Sequence, residues 1–102
     1  MNAPATPSRV SDVLDRAADL IEPEGAWHQG NYVGPTGDCW CALGAIMRVG
    51  NFASDINAPS IVLRRLIGEE FVADWNDDPE RTQAEVVAKL REAAALAREQ
   101  GK

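Results

Sequence analysis

The C-terminal stretch of the chain carries the sequence feature that most restricts its fold. From Thr82 to about Gln100, apolar residues return every three or four positions, which is the spacing of one face of an α-helix. Thr82 and Glu85 begin this run with the Thr-x-x-Glu pattern of a capping box. The pattern therefore predicts a long amphipathic helix. Its apolar stripe consists of Val86, Leu90, Ala93 and Ala97, flanked by Val87 and Ala94.

A second amphipathic pattern lies near the start of the chain. Thr6 is a good N-cap and Pro7 is tolerated at a first helical position, so we expect a helix to begin there and to end before Pro23 and Gly25. The Gly-rich sequence GAWHQGNYVGPTGD that follows predicts a short irregular arm or β-hairpin with its turn at Gly-Pro-Thr-Gly. The apolar residues of the predicted helix are Val10, Val13, Leu14, Ala17, Leu20 and Ile21.

Further helices are expected after the arm. Asp38 can cap a helix over CWCALGAIMRV, whose small side chains would let a neighbouring element approach closely, and Gly50 would end it. Asn57 is the expected cap of the next helix, and Gly68 its end. The expected fold class is mainly α, a compact bundle of about four helices with a short irregular arm or β-hairpin after the first. An extra helical turn between Glu69 and Trp75 would bring Phe71, Val72 and Trp75 inward.

Length and composition are those of one small globular domain. The chain has 102 residues, of which 45% are hydrophobic and 25% charged. We expect a single helical domain over residues 6–100, preceded by a disordered N-terminus at residues 1–5.

Charge and cysteine spacing restrict the partners and the compartment. A formal net charge of −6 has the wrong sign for binding a phosphate backbone, so no direct nucleic-acid binding is expected. An acidic mimic of DNA is also disfavoured, because the basic residues are interspersed with the acidic ones. No signal-peptide pattern and no run of ~20 apolar residues occurs, so we expect a cytoplasmic protein without a membrane partner. Cys39 and Cys41 are too close in sequence for a comfortable disulfide, which agrees with a reducing compartment.

The acidic sequence DWNDDPERTQAE raises the question of a calcium site. If Asp74 is position one of an EF-hand loop, Asn76, Asp78 and Glu85 fall at ligand positions three, five and twelve. The sixth position is Pro79, whose ring fixes φ near −65° where the loop needs the positive φ of glycine. We therefore expect no calcium and interpret the segment as a structural corner. This corner consists of Trp75, Asn76, Asp77, Pro79, Thr82 and Glu85.

A small Cys- or metal-dependent enzyme is the alternative function. It would use Cys41, His28 and the carboxylates of residues 74–78, and a zinc site would need Cys39 and Asp38 as further ligands. The Cys-x-Cys spacing is not the Cys-x2-Cys of common zinc sites, and no sequence pattern for an orienting partner or an oxyanion hole accompanies the thiols. We therefore predict no catalytic residue, no cofactor and no metal.

The candidate interaction surface is built mainly from aromatic residues of the arm and of the start of the second predicted helix. A domain this short has limited room to bury all its rings, and aromatic side chains on adaptable backbone are typical of interaction hot spots. The predicted surface consists of Trp27, Gln29, Tyr32 and Trp40.

Three segments, GAWHQG, CALGA and WNDDPERTQAEVV, together resemble a family of small domains of unknown function from actinobacteria and their phages. The resemblance implies a cytoplasmic protein of such a bacterium, or of a phage inside its host, and it supplies no catalytic residues. Cys41 agrees with the family pattern, whereas Cys39 and His28 depart from it. The expected function is non-enzymatic binding of a protein partner, a host protein where the gene belongs to a phage. Homo-oligomerisation through an apolar helix face is a further expectation for so small a core.

Overall fold

Five helices make up most of the described chain. The computed structural model describes residues 9–50, 57–68 and 71–102. Within these ranges, β-structure is limited to isolated bridges of Trp40 with Trp27 and Val33, so the mainly α fold class is confirmed. No helix in the described ranges is long and apolar enough to cross a bilayer. The helices are α1 (Val10–Ile21), α2 (Ala42–Val49), α3 (Asn57–Ile67), α4 (Val72–Asn76) and α5 (Gln83–Glu99).

The core forms where α1 packs against α5 and α2. Leu14 and Ile21 of α1, Ile46 of α2 and Leu90 of α5 are completely buried. Burying a side chain of this size stabilises the fold by about 1.5–3 kcal/mol relative to its exposure. Alanines fill the positions between these large side chains and allow the helices to approach closely. The buried alanines of α1, α2 and α5 are Ala17, Ala18, Ala42, Ala45, Ala93, Ala94 and Ala97.

The acidic edge of α1 is paired with two arginines of α5. Arg91 lies 2.9 Å from the carboxylate of Asp19 and 3.2 Å from that of Glu22. Two helical turns further along α5, Arg98 lies 3.5 Å from the carboxylate of Asp12. We call this set the α1–α5 ion ladder. Its carboxylates belong to Asp12, Asp15, Asp19 and Glu22.

The first two predicted helix starts differ from those observed. The predicted cap and first residue of helix one, Thr6 and Pro7, lie outside the described residues. Arg9 has extended backbone, so α1 begins at Val10. The prediction that Asp38 caps α2 is wrong, because the backbone after it is still bonded to the arm and the cap is Cys41. 

The later boundaries follow the sequence more closely. Asn57 lies inside α3 rather than capping it, and Gly68 ends that helix with the positive φ of +73° expected of such a glycine. The capping box of Thr82 and Glu85 is present at α5. Phe71 was expected to point inward, but it is 59% exposed because it precedes α4 instead of belonging to it.

Candidate functional site

The arm, residues 22–41, is held in a fixed shape by hydrogen bonds around Trp40. The Trp40 amide donates to the Ala26 carbonyl oxygen over 2.8 Å, and the Trp40 carbonyl accepts from the His28 amide over 3.0 Å. Across the turn at Gly-Pro-Thr-Gly, the Gly34 amide donates to the Cys39 carbonyl over 2.8 Å. The arm is therefore an ordered series of turns and bridges, in agreement with the irregular form expected.

Gly44 allows the arm to lie directly on α2. A Cβ atom at this position would stand 1.9 Å from the carbonyl oxygen of Tyr32 and 2.7 Å from its carbonyl carbon. The Cys41 amide donates to the same oxygen over 3.1 Å. Only the hydrogen of glycine fits beneath this carbonyl, and the contact fixes the position of Tyr32.

Asn76 joins the arm, α2 and the corner through one buried amide. Its side-chain Oδ1 accepts from Trp27 Nε1 over 2.7 Å and from the Ala42 amide over 3.0 Å, while its Nδ2 donates to the His28 carbonyl over 3.0 Å. Asn76 is completely inaccessible to solvent. Because burial removes water as an alternative partner, each of these groups depends on Asn76 for its hydrogen bond.

A second set of bonds continues from Asn76 to the surface. The Gln29 side-chain Nε2 donates to the backbone oxygens of Asn76 and Asp78 over 3.0 and 2.8 Å. The Gly30 amide donates to Asp77 Oδ1 over 2.9 Å. The conformation of the arm is therefore set by the corner as well as by its own backbone bonds.

Arg81 connects the corner to the start of α5. Its Nε donates to the Trp75 carbonyl over 3.0 Å, and the guanidinium carbon lies 4.5 Å from the centroid of the Trp75 ring. Its Nη1 donates to Glu85 Oε2 over 3.0 Å. The hydrogen bonds from Arg81 and then from Thr82 lower the pKa of Glu85. Glu85 thus remains charged where it serves both the capping box and the corner.

The corner residues at the EF-hand ligand positions have structural roles in the fold. Asp74 and Asn76 lie two residues apart in α4, where side chains at that separation do not face each other. Asn76 Oδ1 is bonded to two N–H donors, and Glu85 is bonded to Arg81 and Thr82. Within residues 9–50, 57–68 and 71–102, no group of three or more His, Cys, Asp and Glu side chains is arranged to hold a metal ion.

The cysteines have separate surroundings. Cys41 caps α2, since its Sγ accepts from the Gly44 amide over 3.3 Å. The side chain is 2% exposed, and this burial raises the pKa of the Cys41 thiol, which keeps it protonated at neutral pH. The side chains of Cys39 and His28 both lie beside Gly34, where an added Cβ atom would stand 2.1 Å from Cys39 Sγ and 3.4 Å from His28 Nδ1. The arrangement favours a capping role for Cys41 over that of a nucleophile.

Three large apolar side chains are exposed in the described structure. Tyr32 is 50% exposed, Val33 42% and Phe71 59%. Tyr32 and Phe71 line one groove of about 250 Å³ beside α2. We call it the apolar groove. Its other lining residues are Leu43, Met47, Asn57, Ser60, Arg64, Val72 and Ala73.

The predicted interaction residues divide into three groups. Tyr32 is half exposed, as an interaction residue would be. Trp27 and Gln29 are only partly exposed and are hydrogen-bonded to Asn76, so they position the arm. Trp40 is partly exposed and lies in a different groove from Tyr32.

A family comparison covers both the arm and the corner. The model of a family of unknown function, DUF6197, matches residues 5–96. The chain belongs to this family. No curated protein and no solved structure is detectably similar to the chain. Membership in DUF6197 agrees with the resemblance seen in the sequence to a small domain of unknown function.

Sequence reasoning missed how the corner is used. It assigned Asn76 to a structural corner, but not the side chain's direction into the protein or its bonds to residues 34 to 49 positions away. The requirement for glycine at position 44 was also missed, although the small residues of α2 indicated a close approach. A polar Asn directly after a buried Trp was the available signal, because Asn there has to find partners inside the fold.

Proposed function

We propose that this DUF6197 protein is a non-enzymatic, cytoplasmic protein-binding module that uses the tip of the arm and the apolar groove. The observation that carries the proposal is the exposure of Tyr32 and Val33 on backbone that is fixed from both sides. Gly44 and Cys41 fix Tyr32 against α2, and the bond between Gly34 and Cys39 closes the arm beyond Val33.

Rigid exposed rings are well suited to protein recognition. A tyrosine contributes a large contact area, and a side chain on a fixed backbone loses little conformational freedom on binding. The apolar groove adds Phe71 and Met47 to Tyr32, so a partner bound there would bury all three side chains. Exposed apolar surface of this kind is typical of interaction sites.

The polar groups of the corner support a structural role for that segment. Among the described residues, every buried side-chain nitrogen and oxygen has a hydrogen-bond partner. The Cys41 thiol is protonated and occupied as a cap. These groups are engaged within the fold, which is why we favour binding over catalysis.

The resemblance to proteins of actinobacteria and their phages suggests the nature of the partner. For a phage gene, the partner would be a host protein; for a cellular gene, another protein of the same cytoplasm. A second copy of the chain is the simplest partner for the apolar groove, so the oligomeric state has to be measured together with partner capture.

Affinity capture with matched variants tests this proposal. The tagged protein is incubated with actinobacterial lysate beside Tyr32→Ser/Phe71→Ser, whose side chains are half exposed or more and lie outside the hydrophobic core. The control is Ala88→Ser/Ala95→Ser on the exposed face of α5. We expect the original chain and the control to capture a partner, or to form a dimer detected by light scattering. Tyr32→Ser/Phe71→Ser should neither capture the partner nor dimerise. Equal capture by all three proteins would contradict the proposed face.

The rival thiol-dependent function makes a different prediction for Cys41→Ser. Serine is itself a good N-cap, so a binding module should keep its partner and lose only modest stability. A function that depends on the thiol would vanish. Stoichiometric zinc or calcium in the purified protein would likewise favour the enzyme.

A further inference from the structure

A second groove has a chemistry that the proposed function does not use. It lies between α1 and the C-terminal end of α2 and has a volume of about 510 Å³. It shares no lining residue with the apolar groove. We call it the arginine groove. Its lining residues are Arg16, Asp19, Leu20, Trp40, Arg48 and Val49.

The two arginines of this groove are not committed to carboxylates of the described chain. Arg16 and Arg48 are both exposed, and neither forms a salt bridge with a described Asp or Glu. The groove's own acidic residue, Asp19, is bound by Arg91 at 2.9 Å as part of the α1–α5 ion ladder. Among the described residues, the groove therefore presents two positive charges without a carboxylate partner, on a protein whose net charge is −6.

The surface near these charges is apolar and fixed in position. Leu20, Trp40 and Val49 are partly buried and pack against the hydrophobic core. The backbone of Trp40 is bonded on both sides, to Ala26 and to His28. An apolar side chain placed against the indole would meet a preorganised surface.

We infer that the arginine groove binds an acidic peptide segment of a partner protein. Two carboxylates of the segment would pair with Arg16 and Arg48, because guanidinium and carboxylate match in bidentate geometry. An apolar side chain between those carboxylates would lie against Trp40. Each chemical feature of the groove thus has a counterpart in such a segment.

Nucleic acid fits the same groove less well. A polyphosphate backbone needs several cations to displace its counterions, and this groove supplies two. The backbone would also approach the carboxylates of the α1–α5 ion ladder on the same helix. A short acidic segment meets the same carboxylates but carries fewer negative charges past them than a polyphosphate backbone does.

Titration of the isotope-labelled chain with a defined peptide tests the inference. The probe is acetyl-Glu-Glu-Leu-Glu-Glu-amide, compared with acetyl-Gln-Gln-Leu-Gln-Gln-amide, and the readout is the NMR signal of the Trp40 indole N–H at low salt. We expect the acidic peptide to shift this signal and the neutral peptide to leave it unchanged. Arg16→Gln/Arg48→Gln should weaken binding about tenfold, as two exposed ion pairs would.

Two control variants distinguish binding in the arginine groove from a general effect of net charge and from binding in the apolar groove. Arg9→Gln/Arg65→Gln removes the same charge from exposed positions outside both grooves and should bind the peptide normally. Tyr32→Ser/Phe71→Ser disables the apolar groove and should also bind normally, so the two proposals can fail independently. The inference is overturned if the Trp40 signal does not move, or if Arg16→Gln/Arg48→Gln binds unchanged. Tighter binding of an oligonucleotide or of inorganic phosphate than of the peptide would also overturn it.

Discussion

At the scale of single residues, the Asn76 side chain fixes the arm against the start of α2. One amide accepts from the Trp27 indole and the Ala42 backbone and donates to the His28 backbone. These three groups belong to the arm and the start of α2, which have no continuous strand pairing to hold them together. A buried amide with all partners present specifies one arrangement of these segments, because any shift would leave polar groups without water or a partner.

Replacing Asn76 by Ala should therefore destabilise the protein strongly. The change leaves two N–H donors and one carbonyl unpaired in or near the core, each costing about 1–3 kcal/mol, so we expect a total loss of about 3 kcal/mol or more. Urea unfolding followed by tryptophan fluorescence measures this. Asn31→Ala at an exposed position is the control and should change stability by less than about 0.5 kcal/mol. A loss below about 1 kcal/mol in Asn76→Ala would show that the amide network is dispensable.

Gly44 gives a second prediction at the residue scale. Helix propensity alone would favour Ala over Gly by about 1 kcal/mol. The added Cβ would stand 1.9 Å from the Tyr32 carbonyl oxygen, and that backbone is fixed by Cys41. We expect the clash to outweigh the gain in helix propensity. Gly44→Ala should therefore be destabilised by about 1–3 kcal/mol, measured as a lower unfolding midpoint. A raised midpoint would mean that the arm can move away at little cost.

At the scale of elements, the start of α5 depends on a charge. Thr82 and Glu85 bond to each other's backbone amides, and Arg81 bonds to the Glu85 carboxylate. The lowered pKa of Glu85 means that its folded-state pKa lies below the ordinary value of about 4.3. Its contribution is therefore present above that value and is lost as the pH falls through the folded-state pKa.

Glu85→Gln isolates this contribution. Glutamine can still close the capping box but carries no charge, so the variant should be less stable than the original chain at neutral pH. We expect the difference in unfolding free energy to stay constant above about pH 5.5 and to close below about pH 4. Unfolding curves at a series of pH values test this, and a difference that persists at pH 3 would assign the effect to packing.

At the scale of the whole molecule, the α1–α5 ion ladder offsets charge repulsion along the acidic edge of α1. The carboxylates of α1 lie along one edge and would repel one another without Arg91 and Arg98. Hydrogen bonding to Asp19 raises the pKa of Arg91, and hydrogen bonding to Asp15 raises that of Arg98, so both stay charged at every accessible pH. The pairs are solvent-exposed, and salt should screen them.

Arg91→Gln should reveal this screening. We expect a loss of about 1 kcal/mol at low ionic strength, since exposed ion pairs each contribute roughly 0.2–1 kcal/mol. The loss should shrink at 0.5 M NaCl, where the Debye length is only a few ångströms. Arg65→Gln on α3, an exposed arginine outside the ladder, is the control for net charge. Equal losses at low and high salt would mean that Arg91 acts through packing of its aliphatic part.

Local patterns account for the parts of the fold that were predicted correctly. The α5 capping box joins residues three apart, and the end of α3 at Gly68 depends on one backbone angle. Predictions failed where the outcome depended on distant residues. Asp38 has the right chemistry for an N-cap, yet the arm bonds keep the chain extended up to Cys41. Of the predicted surface residues, Trp27 and Gln29 bond to a residue far away in sequence, whereas Tyr32 is exposed.

By itself, the sequence determined that the chain forms amphipathic helices and that Pro79 excludes an EF-hand turn, because periodicity and the geometry of the proline ring act within a few residues. Only the tertiary structure decided which polar groups the corner uses, which aromatic rings remain exposed and which arginines lack a described carboxylate partner. Burial and hydrogen-bond pairing depend on segments that are distant in the chain and meet only when the helices pack.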